Sequence, residues 1–454
     1  MRILQVIHQF PPHSWQGAEV YCYQLSKRLL DRGDDVRVFH VSATGPRMSK
    51  RLAHESFHGL PTFHCIDGGE YARLAKWPNR FLSRCFDRVL DEFKPEIVHF
   101  HHFLSLGDQL VTRAADHGAR VVYTLHDFGL ICPNVKLLRT DGHLCGKNTP
   151  DFFQDCCPVL VRTLDGPAPW FASRVPSLNQ WRTFAEQHGS RAIRATLQTG
   201  IGTVRWWSGD SAQSDVDQKG AFFLGETRRI IRQVDLFLAP SEFLRRRYLS
   251  CGIPPEKIVF ARYGIQHFGR LPRRVTSGRL AFGYIGALHA HKGVELLLDA
   301  FQGMDERAEL HVFGSTFGSP VSERYWQRIS ARPGSRVFVH GAYENKDIST
   351  ILSGLDVVVV PSLWYENSPL TIQEAFIGGI PVITADQGGM AELVRDGVDG
   401  LHFAFGDAVS LRAKMKLVVE EAGLLERLRS NVPQVPEIEQ QADDVRRRYE
   451  MLLH

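Results

Sequence analysis

Residues 355–374 read LDVVVVPSLWYENSPLTIQE, and this stretch decides the fold. Leu355 to Pro361 form an apolar run that is interrupted only by Asp356, and such a run is typical of a parallel strand buried on both faces. Ser368 is a favoured N-cap residue and Pro369 suits the first position of a helix, so a helix is predicted to follow. The stretch therefore predicts a strand, a short loop and a helix, the repeating unit of an open α/β sheet.

The loop of this unit carries the first candidate binding residues. Glu366 is predicted to lie on the loop at the carboxyl end of the strand, and Glu374 about a turn and a half into the helix. Open α/β sheets bind ligands at this edge, where the amides of Asn367 and Ser368 can donate to anionic or hydroxyl groups. Two carboxylates beside such donors favour a polyhydroxy ligand with anionic groups.

Strands and helices alternate in both halves of the chain. A helix at 17–33 follows the first strand, and a second series begins at Leu280. This alternation predicts the α/β class, with two Rossmann-like, doubly wound domains that face each other across a cleft. The predicted strands are Arg2–His8, Val36–His40, Pro61–Ile66, Glu96–Phe100, Arg120–Leu125, Val234–Pro240, Leu280–Ile285, Leu310–Phe313, Arg336–Val339, Val357–Val360 and Pro381–Thr384.

The composition shifts along the chain predict its domain boundaries. We expect an N-terminal domain at 1–265, a linker at 266–279, a C-terminal domain at 280–435 and a final helix at 436–454 that packs back on the first domain. The poorly periodic region at about 128–221 is interpreted as an insertion that shapes a substrate site. The linker would be the hinge of cleft closure.

The overall composition is that of an ordinary globular protein. The chain has 454 residues, of which 43% are apolar and 23% charged, and its net charge of +4 gives no indication of a nucleic-acid partner. No apolar run approaches the roughly 18 residues of a membrane span. The N-terminus is interpreted as a strand and not as a signal peptide, so a cytoplasmic location is expected. Solvated surface is favoured over contact with an anionic membrane for the basic clusters at Arg228–Arg232, Arg245–Arg247 and Arg270–Arg274.

The cysteines give a weak indication of a metal site. Cys132, Cys145, Cys156 and Cys157 cluster in the sequence, but no CxxC pair is present. Reduced structural thiols are therefore favoured over a zinc ion, and no metal ligand is predicted.

Several common chemistries lack their motifs. The chain has no GxGxxG, Walker A or GxSxG sequence, which disfavours dehydrogenases, P-loop enzymes and serine hydrolases. Lys292 lies between a strand and an amphipathic helix, where a lysine can neutralise a diphosphate. His126 follows a strand at the ligand edge of the first half, and Gly17 permits close approach of the backbone to a ligand.

Taken in order, the motifs resemble one family of enzymes. They match the retaining glycosyltransferases of family 4, which have the two-domain GT-B architecture, over nearly all of the chain apart from about 158–221. The motifs are Phe10-Pro11-Pro12 with Gly17-Ala18-Glu19, Thr124-Leu125-His126-Asp127, Ala239-Pro240-Ser241-Glu242-Phe243, Gly286 with Lys292-Gly293, Glu366 with Glu374, Gly379-Ile380-Pro381-Val382 and Gly388-Gly389 with Glu392.

The resemblance implies a reaction and a set of roles. A sugar would move from a nucleoside-diphosphate donor to a hydroxyl of a saccharide or lipid-linked acceptor, with retention of anomeric configuration and without a metal or other cofactor. Lys292 would bind the diphosphate, Glu366 the sugar and Glu374 the ribose, while His126 would lie beside the reacting carbon. The resemblance further assigns donor binding to Gly17, Gly286, Asn367, Ser368, Pro369 and Leu370.

The sequence also departs from the family. Ala287 stands where an arginine is usual, so half of the expected cationic clamp is missing. Ala18 replaces a second loop glycine, and Tyr263 stands where an asparagine is frequent. Two alternatives therefore stay open: a nucleotide-sugar-binding or scaffold protein that has lost catalysis, and a synthase with a small sugar or sugar-phosphate acceptor.

Overall fold

The structure is a computed structural model, which describes residues 1–42, 50–66, 79–102, 106–107, 109–132, 135–139, 143–145, 223–272, 278–316, 320–331, 334 and 336–454. The fourteen strands of these residues form two separate sheets, which confirms the predicted fold class. The strands are β1 Arg2–Ile7, β2 Asp35–Ser42, β3 Arg51–Phe57, β4 Leu60–Ile66, β5 Ile97–Phe100, β6 Arg120–Thr124, β7 Leu236–Ala239, β8 Ile258–Phe260, β9 Leu280–Ile285, β10 Ala308–Phe313, β11 Val337–Gly341, β12 Val357–Val360, β13 Val382–Ala385 and β14 Gly400–Phe403.

Helices cover both sheets. Their apolar faces supply much of the buried core of each half, as expected for helices packed on a parallel sheet. The α-helices of the described residues are α1 Gly17–Asp31, α2 Arg80–Phe93, α3 Gln109–Asp116, α4 at 223–233, α5 Glu242–Ser250, α6 Val294–Phe301, α7 Pro320–Ser330, α8 Ile348–Ser353, α9 Leu370–Ile377, α10 Gly388–Leu393, α11 Ala408–Glu420, α12 Leu424–Ser430 and α13 Ile438–Leu453.

The first sheet has the order β3-β4-β2-β1-β5-β6-β7-β8 in the described part of the chain. All its neighbouring strands are parallel except β3 and β4, which form an antiparallel pair at the edge. Strand β3 escaped the sequence prediction because an edge strand with one solvated face has no continuous apolar run, and most of its side chains are exposed. The strand order changes direction at β1, which has β2 on one side and β5 on the other.

The second sheet is wholly parallel over its described strands, in the order β11-β10-β9-β12-β13-β14. Its strand order changes direction between β9 and β12, and ligands of open α/β sheets bind at such a switch point. The observed bounds of β9 and β12 equal the predicted ones, because both strands are short, apolar and buried. Strand β14 escaped prediction because its sequence of four residues, GLHF, is too short for a periodic pattern.

Helix α13 lies on the first half, although it follows the second half in sequence. It packs against α1, and its residue Tyr449 is fully buried in the core around β1 and β2. Arg446 forms an ion pair with Asp34, and Gly264 donates to Gln441 Oε1 at 2.6 Å. The exact domain boundaries stay a prediction, and most of the insertion at 128–221 lies outside the described residues.

Candidate functional site

The loops at the carboxyl ends of β9 and β12 meet at the centre of the candidate site. A turn at Ala290–Lys292 after β9 places the Lys292 ammonium 2.6 Å from Glu366 Oε1. The same oxygen accepts from Ser362 Oγ and Trp364 Nε1, each at 2.8 Å. The second oxygen of Glu366 has no hydrogen bond among the described residues. One carboxylate oxygen is therefore held firmly, and the other can accept from a ligand hydroxyl.

A glycine permits this close meeting of the two loops. Gly293 follows Lys292 with φ 75°, and a Cβ there would lie 1.9 Å from the carbonyl oxygen of Pro361. The Lys292 ammonium also lies 5.1 Å from the ring centroid of Trp364, within the range of a cation–π contact. The position of the lysine is thus set by an ion pair, an aromatic ring and a turn that only glycine fits.

The helix after Glu366 begins one residue later than predicted. Its N-cap is Pro369 and not Ser368, and α9 starts at Leu370. The Ser368 hydroxyl accepts instead from Gln373 Nε2 at 3.3 Å. Pro369 lacks an N–H group, so the donors that this turn can offer to a ligand are the amides of its neighbours.

Glu374 stands apart from the other carboxylates of the site. It has no hydrogen bond or ion pair among the described residues, and burial alone raises its pKa to about 7. A carboxylate in this condition gains from any ligand that donates hydrogen bonds to it. The buried Glu374 carboxylate agrees with a hydroxyl-binding role, which stays a prediction.

Two further glycines pack against the backbone of the Glu366 loop. The amide of Gly389 donates to the Glu366 carbonyl at 2.7 Å, and a Cβ on Gly389 would lie 1.5 Å from the carbonyl oxygen of Asn367. Gly388 has φ 64°, a conformation that favours glycine. The Gly388-Gly389 pair therefore begins α10 and fixes the backbone of the loop. Its contacts in the structure are with protein.

Gly286 directly follows β9 at the same edge of the sheet. Its amide donates to Phe313 at 3.0 Å. A Cβ built on Gly314 would lie 1.9 Å from the Gly286 carbonyl oxygen. Two segments of the backbone therefore pass very close to each other here. The residue lies where a ligand could approach the backbone, and its donor-binding role stays a proposal.

His126 follows β6 and lies across the cleft, but its ring is not open to a ligand at either nitrogen. Nδ1 is 2.5 Å from the Tyr263 hydroxyl and Nε2 is 3.1 Å from His101 Nδ1. Burial, then the nearby His101 and His102, hold the pKa of His126 well below its usual value. The imidazole is therefore neutral and fully hydrogen-bonded within the protein.

Four polar residues near His126 were missed by the sequence reasoning. His102 Nε2 forms a very short contact with Asp127 Oδ2, and this carboxylate raises the pKa of His102 against the opposing effect of burial. The His8 ring stacks at a tilt 4.4 Å from the His102 ring, and Glu19 lies 3.5 Å from His8 Nε2. His8, His102 and Asp127 follow strand ends at one sheet edge, and Glu19 lies in the first turn of α1. Only their shared position in the predicted fold could have indicated them.

Residues of both halves meet directly at the cleft. Asn367 Nδ2 donates to the His126 carbonyl at 2.5 Å, and a Cβ on Gly17 would lie 3.7 Å from Leu370 Cδ1. The Glu392 carboxylate accepts from the amides of Glu242 and Phe243, at 2.8 and 2.7 Å. A side chain of the second half thus caps α5 of the first, together with the N-cap residue Ser241.

The basic clusters are only partly solvated. Arg245 pairs with Glu242 at 3.3 Å, and the Arg247 guanidinium lies 5.2 Å from the Tyr365 ring, whereas Arg246 is exposed. None of the helices within the described residues is long and apolar enough to cross a membrane. Contact with an anionic membrane stays a prediction.

The structure describes half of the cysteine cluster. Cys132 and Cys145 are buried, and Cys156 and Cys157 lie outside the described residues. One group within the described part could hold a metal ion, since ligand atoms of His13, Glu55 and His64 all lie within 4.8 Å of one another. His64 already contacts Ser42 at 2.6 Å and Glu55 at 3.1 Å, so an ion would replace the latter contact.

Two family models match the chain, one in each half. The model "Glycosyltransferase Family 4" matches residues 15–144, and "Glycosyl transferases group 1" matches residues 273–435. An amylovoran biosynthesis glycosyltransferase from Erwinia amylovora is 25% identical over 195 residues, 41% of this chain and 47% of its own length. A D-inositol 3-phosphate glycosyltransferase from Xylanimonas cellulosilytica is 32% identical over 26% of this chain and 28% of its own length. The chain thus matches less than half the length of these relatives.

Solved structures resemble the chain over its full length. Anabaena HepE in complex with UDP and glucose has a TM-score of 0.63 at 14% identity and covers 99% of both chains. At this identity the likeness shows the fold alone. The chain has the GT-B fold of two facing Rossmann-like domains, and its family matches and relatives are glycosyltransferases.

Proposed function

We propose that the chain is a retaining, metal-independent glycosyltransferase, which moves a sugar from a nucleoside diphosphate to an acceptor hydroxyl in the assembly of a polysaccharide, glycolipid or other glycoconjugate. The observation that best supports this proposal is the Lys292–Glu366 pair. The pair lies at the switch point of the second sheet, directly opposite the His126 loop. The pair offers a cation for phosphate and a carboxylate oxygen for hydroxyls, side by side. The amylovoran relative supports a polysaccharide product.

The donor would lie along the loop between β12 and α9. Glu366 would accept from sugar hydroxyls through its second oxygen, and Lys292 would pair with the diphosphate. Glu374, farther along the helix, would accept from the ribose. The backbone around Gly17 and Gly286 would face the phosphates, because neither residue carries a side chain that would keep them away.

The amides of the same loop would add neutral donors. The N–H groups of Asn367, Ser368 and Leu370 point from a fixed backbone at a helix start, where the helix dipole favours negative charge. Pro369 would contribute its fixed φ and its surface and not a hydrogen bond. Together with Lys292 they would stabilise the charge that develops on the departing diphosphate.

His126 would lie beside the reacting carbon as a neutral ring that takes up and releases no proton. Both of its ring nitrogens are bonded inside the protein, and burial keeps the ring neutral. Its expected contribution is a fixed polar surface against the sugar. Because both nitrogens of the His126 ring are engaged within the protein, we assign it no role as a nucleophile or base, and a front-face displacement with retention is the mechanism that we propose.

The donor site can be tested by ligand-dependent thermal unfolding. We expect one of the UDP-, GDP- or ADP-sugars to raise the unfolding temperature, in buffer that contains EDTA, because ligand binding to the native state stabilises it. A ligand at about 100 times its Kd would stabilise by about 2.7 kcal/mol. Glu374→Ala should remove most of this shift. If no nucleotide sugar stabilised the wild-type protein, the proposal would be abandoned.

The raised pKa of Glu374 predicts a pH dependence of donor affinity. Ribose hydroxyls would donate to the ionised form, so binding should lower its pKa and release a proton. Since the unliganded pKa is about 7, affinity should tighten as pH rises towards 7 and level off above it. We expect about a tenfold gain between roughly pH 6 and pH 8.

Calorimetry in buffers of different ionisation enthalpy would measure the released proton. Glu374→Gln should abolish both the proton release and the pH dependence, because the amide does not titrate in this range. Equal proton release by wild-type protein and Glu374→Gln would assign the titration to another group. In the unliganded protein, the stability linked to this group is lost as pH rises through about 7, since the folded-state pKa is the higher one.

A further inference from the structure

A lysine of the first half shares the electrostatic environment of the Lys292–Glu366 pair. Lys136 lies on the loop that follows β6, far from the second sheet in sequence. It interacts electrostatically with both Lys292 and Glu366, and together with Lys292 it also affects His289 and His291 of the β9 loop. Lys136 therefore belongs to the group of charged side chains around the Lys292–Glu366 pair, where the diphosphate is proposed to lie.

The charges around Lys136 do not balance. Among the described residues, the carboxylate that interacts with both lysines is that of Glu366, and one oxygen of it is already bonded to Lys292. Lys136 itself has no hydrogen bond or ion pair among the described residues. Burial and the repulsion from Lys292 lower its pKa, and the imidazoles of His289 and His291 are kept neutral by burial and the same two lysines. Within the described part of the chain, the surroundings of these two lysines thus carry surplus positive charge that an anion would neutralise.

The backbone holds Lys136 in a defined position. Its neighbours Val135 and Leu137 both have positive φ, 52° and 49°, which residues with a Cβ adopt only where surrounding contacts enforce it. Val135 donates to the Cys132 carbonyl at 2.9 Å, and Cys145 donates to the Leu137 carbonyl at 2.7 Å. Leu137 is fully buried in the core of the first half.

The same loop region packs against the second half. Phe128, whose amide donates to the Val135 carbonyl at 3.1 Å, has its ring 6.4 Å from that of Tyr365 in an edge contact. Tyr365 directly precedes Glu366 and belongs to the buried cluster of the first half. The position of Lys136 relative to the donor loop is therefore fixed by packing across the cleft.

We propose that Lys136 is the second cation of the diphosphate site, and that the first half contributes it. The proposal rests on the proposed function. It explains how the site can dispense with an arginine at Ala287, whose carbonyl accepts from Tyr284 at 2.6 Å and whose side chain offers no charge. It also makes full neutralisation of the diphosphate depend on the contact between the halves, because each half supplies one lysine.

The test compares ligands with one and two phosphates. UDP, GDP and ADP are titrated into the full-length protein by calorimetry, the corresponding monophosphates follow, and inorganic pyrophosphate serves as a probe without a base. For the diphosphate that wild-type protein binds, we expect Lys136→Ala to weaken binding by about 10- to 100-fold, with the monophosphate affected by less than about threefold. Lys136→Arg should retain most of the affinity.

Three controls keep the outcomes distinct. Arg139→Ala removes an exposed cation from the same loop and should leave the diphosphate affinity unchanged. The double variant Lys136→Ala with Ala287→Arg should recover part of the lost affinity, since it returns a cation to the diphosphate. Unliganded Lys136→Ala should unfold at or above the wild-type temperature, because a repulsive, partly desolvated charge is removed.

Each outcome bears on one of the two proposals. Failure of wild-type protein to bind any of the diphosphates would contradict the proposed function. Diphosphate binding by wild-type protein with unchanged affinity in Lys136→Ala, or with equal losses for mono- and diphosphate, would overturn the role of Lys136 and leave the proposed function intact.

Discussion

Glu366→Gln is expected to lower kcat/KM for sugar transfer by about 100- to 1,000-fold, the range seen when one charged or donor group is removed from a stabilising site. The carboxylate has two tasks in the proposed site. One oxygen fixes the Lys292 ammonium at 2.6 Å, and the other would accept from the sugar. In Glu366→Gln, the group that faces the Lys292 ammonium no longer carries a negative charge. The amide nitrogen can also face the sugar, where it is a donor in place of an acceptor. Both changes act where charge develops in the reaction.

Steady-state transfer from the donor found by thermal unfolding would measure the effect. Glu344→Gln is the matched control, because it makes the same chemical change in the same half on a side chain that is 70% exposed and paired with Lys346. Its kcat/KM should equal that of wild-type protein, since exposed pairs contribute little. Glu366→Gln with more than about half of the wild-type kcat/KM would contradict the proposed role. A Glu366→Gln, Lys292→Ala double variant should lose less than the sum of the single losses, because the two residues form one unit.

Gly389→Ala is expected to cost the most stability of any single methyl addition in the site. The new Cβ would lie 1.5 Å from the Asn367 carbonyl oxygen, and the opposing atom is backbone and cannot rotate away. We expect a loss of about 3–5 kcal/mol in the free energy of unfolding, at the upper end for a single substitution. The donor loop would shift with it, because the Gly389 amide holds the Glu366 carbonyl at 2.7 Å.

Denaturant unfolding followed by tryptophan fluorescence would measure the loss. Gly354→Ala is the control in the same half. Gly354 caps the end of α8 with a negative φ, and the atom nearest to a new Cβ at this position, the Ile351 carbonyl oxygen, would be 3.5 Å away. This variant should change the free energy of unfolding by less than about 1 kcal/mol. Equal stability of Gly389→Ala and wild-type protein would mean that the two loops are farther apart than the structure places them.

Contacts with the C-terminal helix also support the candidate site. His99 Nε2 contacts Thr124 Oγ1 at 2.7 Å, and His99 Nδ1 contacts the Tyr449 hydroxyl at 2.5 Å. Thr124 precedes the His126 loop by two positions, so the C-terminal helix supports the floor of the cleft. A helix that is last in sequence thereby participates in positioning a residue of the first half, a relation that no local pattern reveals.

The sequence by itself determined the two sheets and the edge at which the site lies. The bounds of β9 and β12 could be predicted to the residue, because a buried parallel strand is a local apolar run whose ends are visible in a few positions. The placement of Glu366 after β12 and of Lys292 after β9 followed from that reading. Where local signals were weak, as in the exposed β3, prediction failed.

Only the tertiary structure decided which of these residues meet. Lys292 and Glu366 are 74 positions apart, and Asn367 and His126 are 241 apart, yet each pair is in hydrogen-bond contact. Sequence periodicity indicates which face of one helix or strand is buried. It does not indicate how loops that are distant in sequence are placed relative to one another. That placement is set by the packing of two cores and the cleft between them. It brings Lys136 to the cleft beside Lys292, and it leaves His126 with both of its nitrogens engaged.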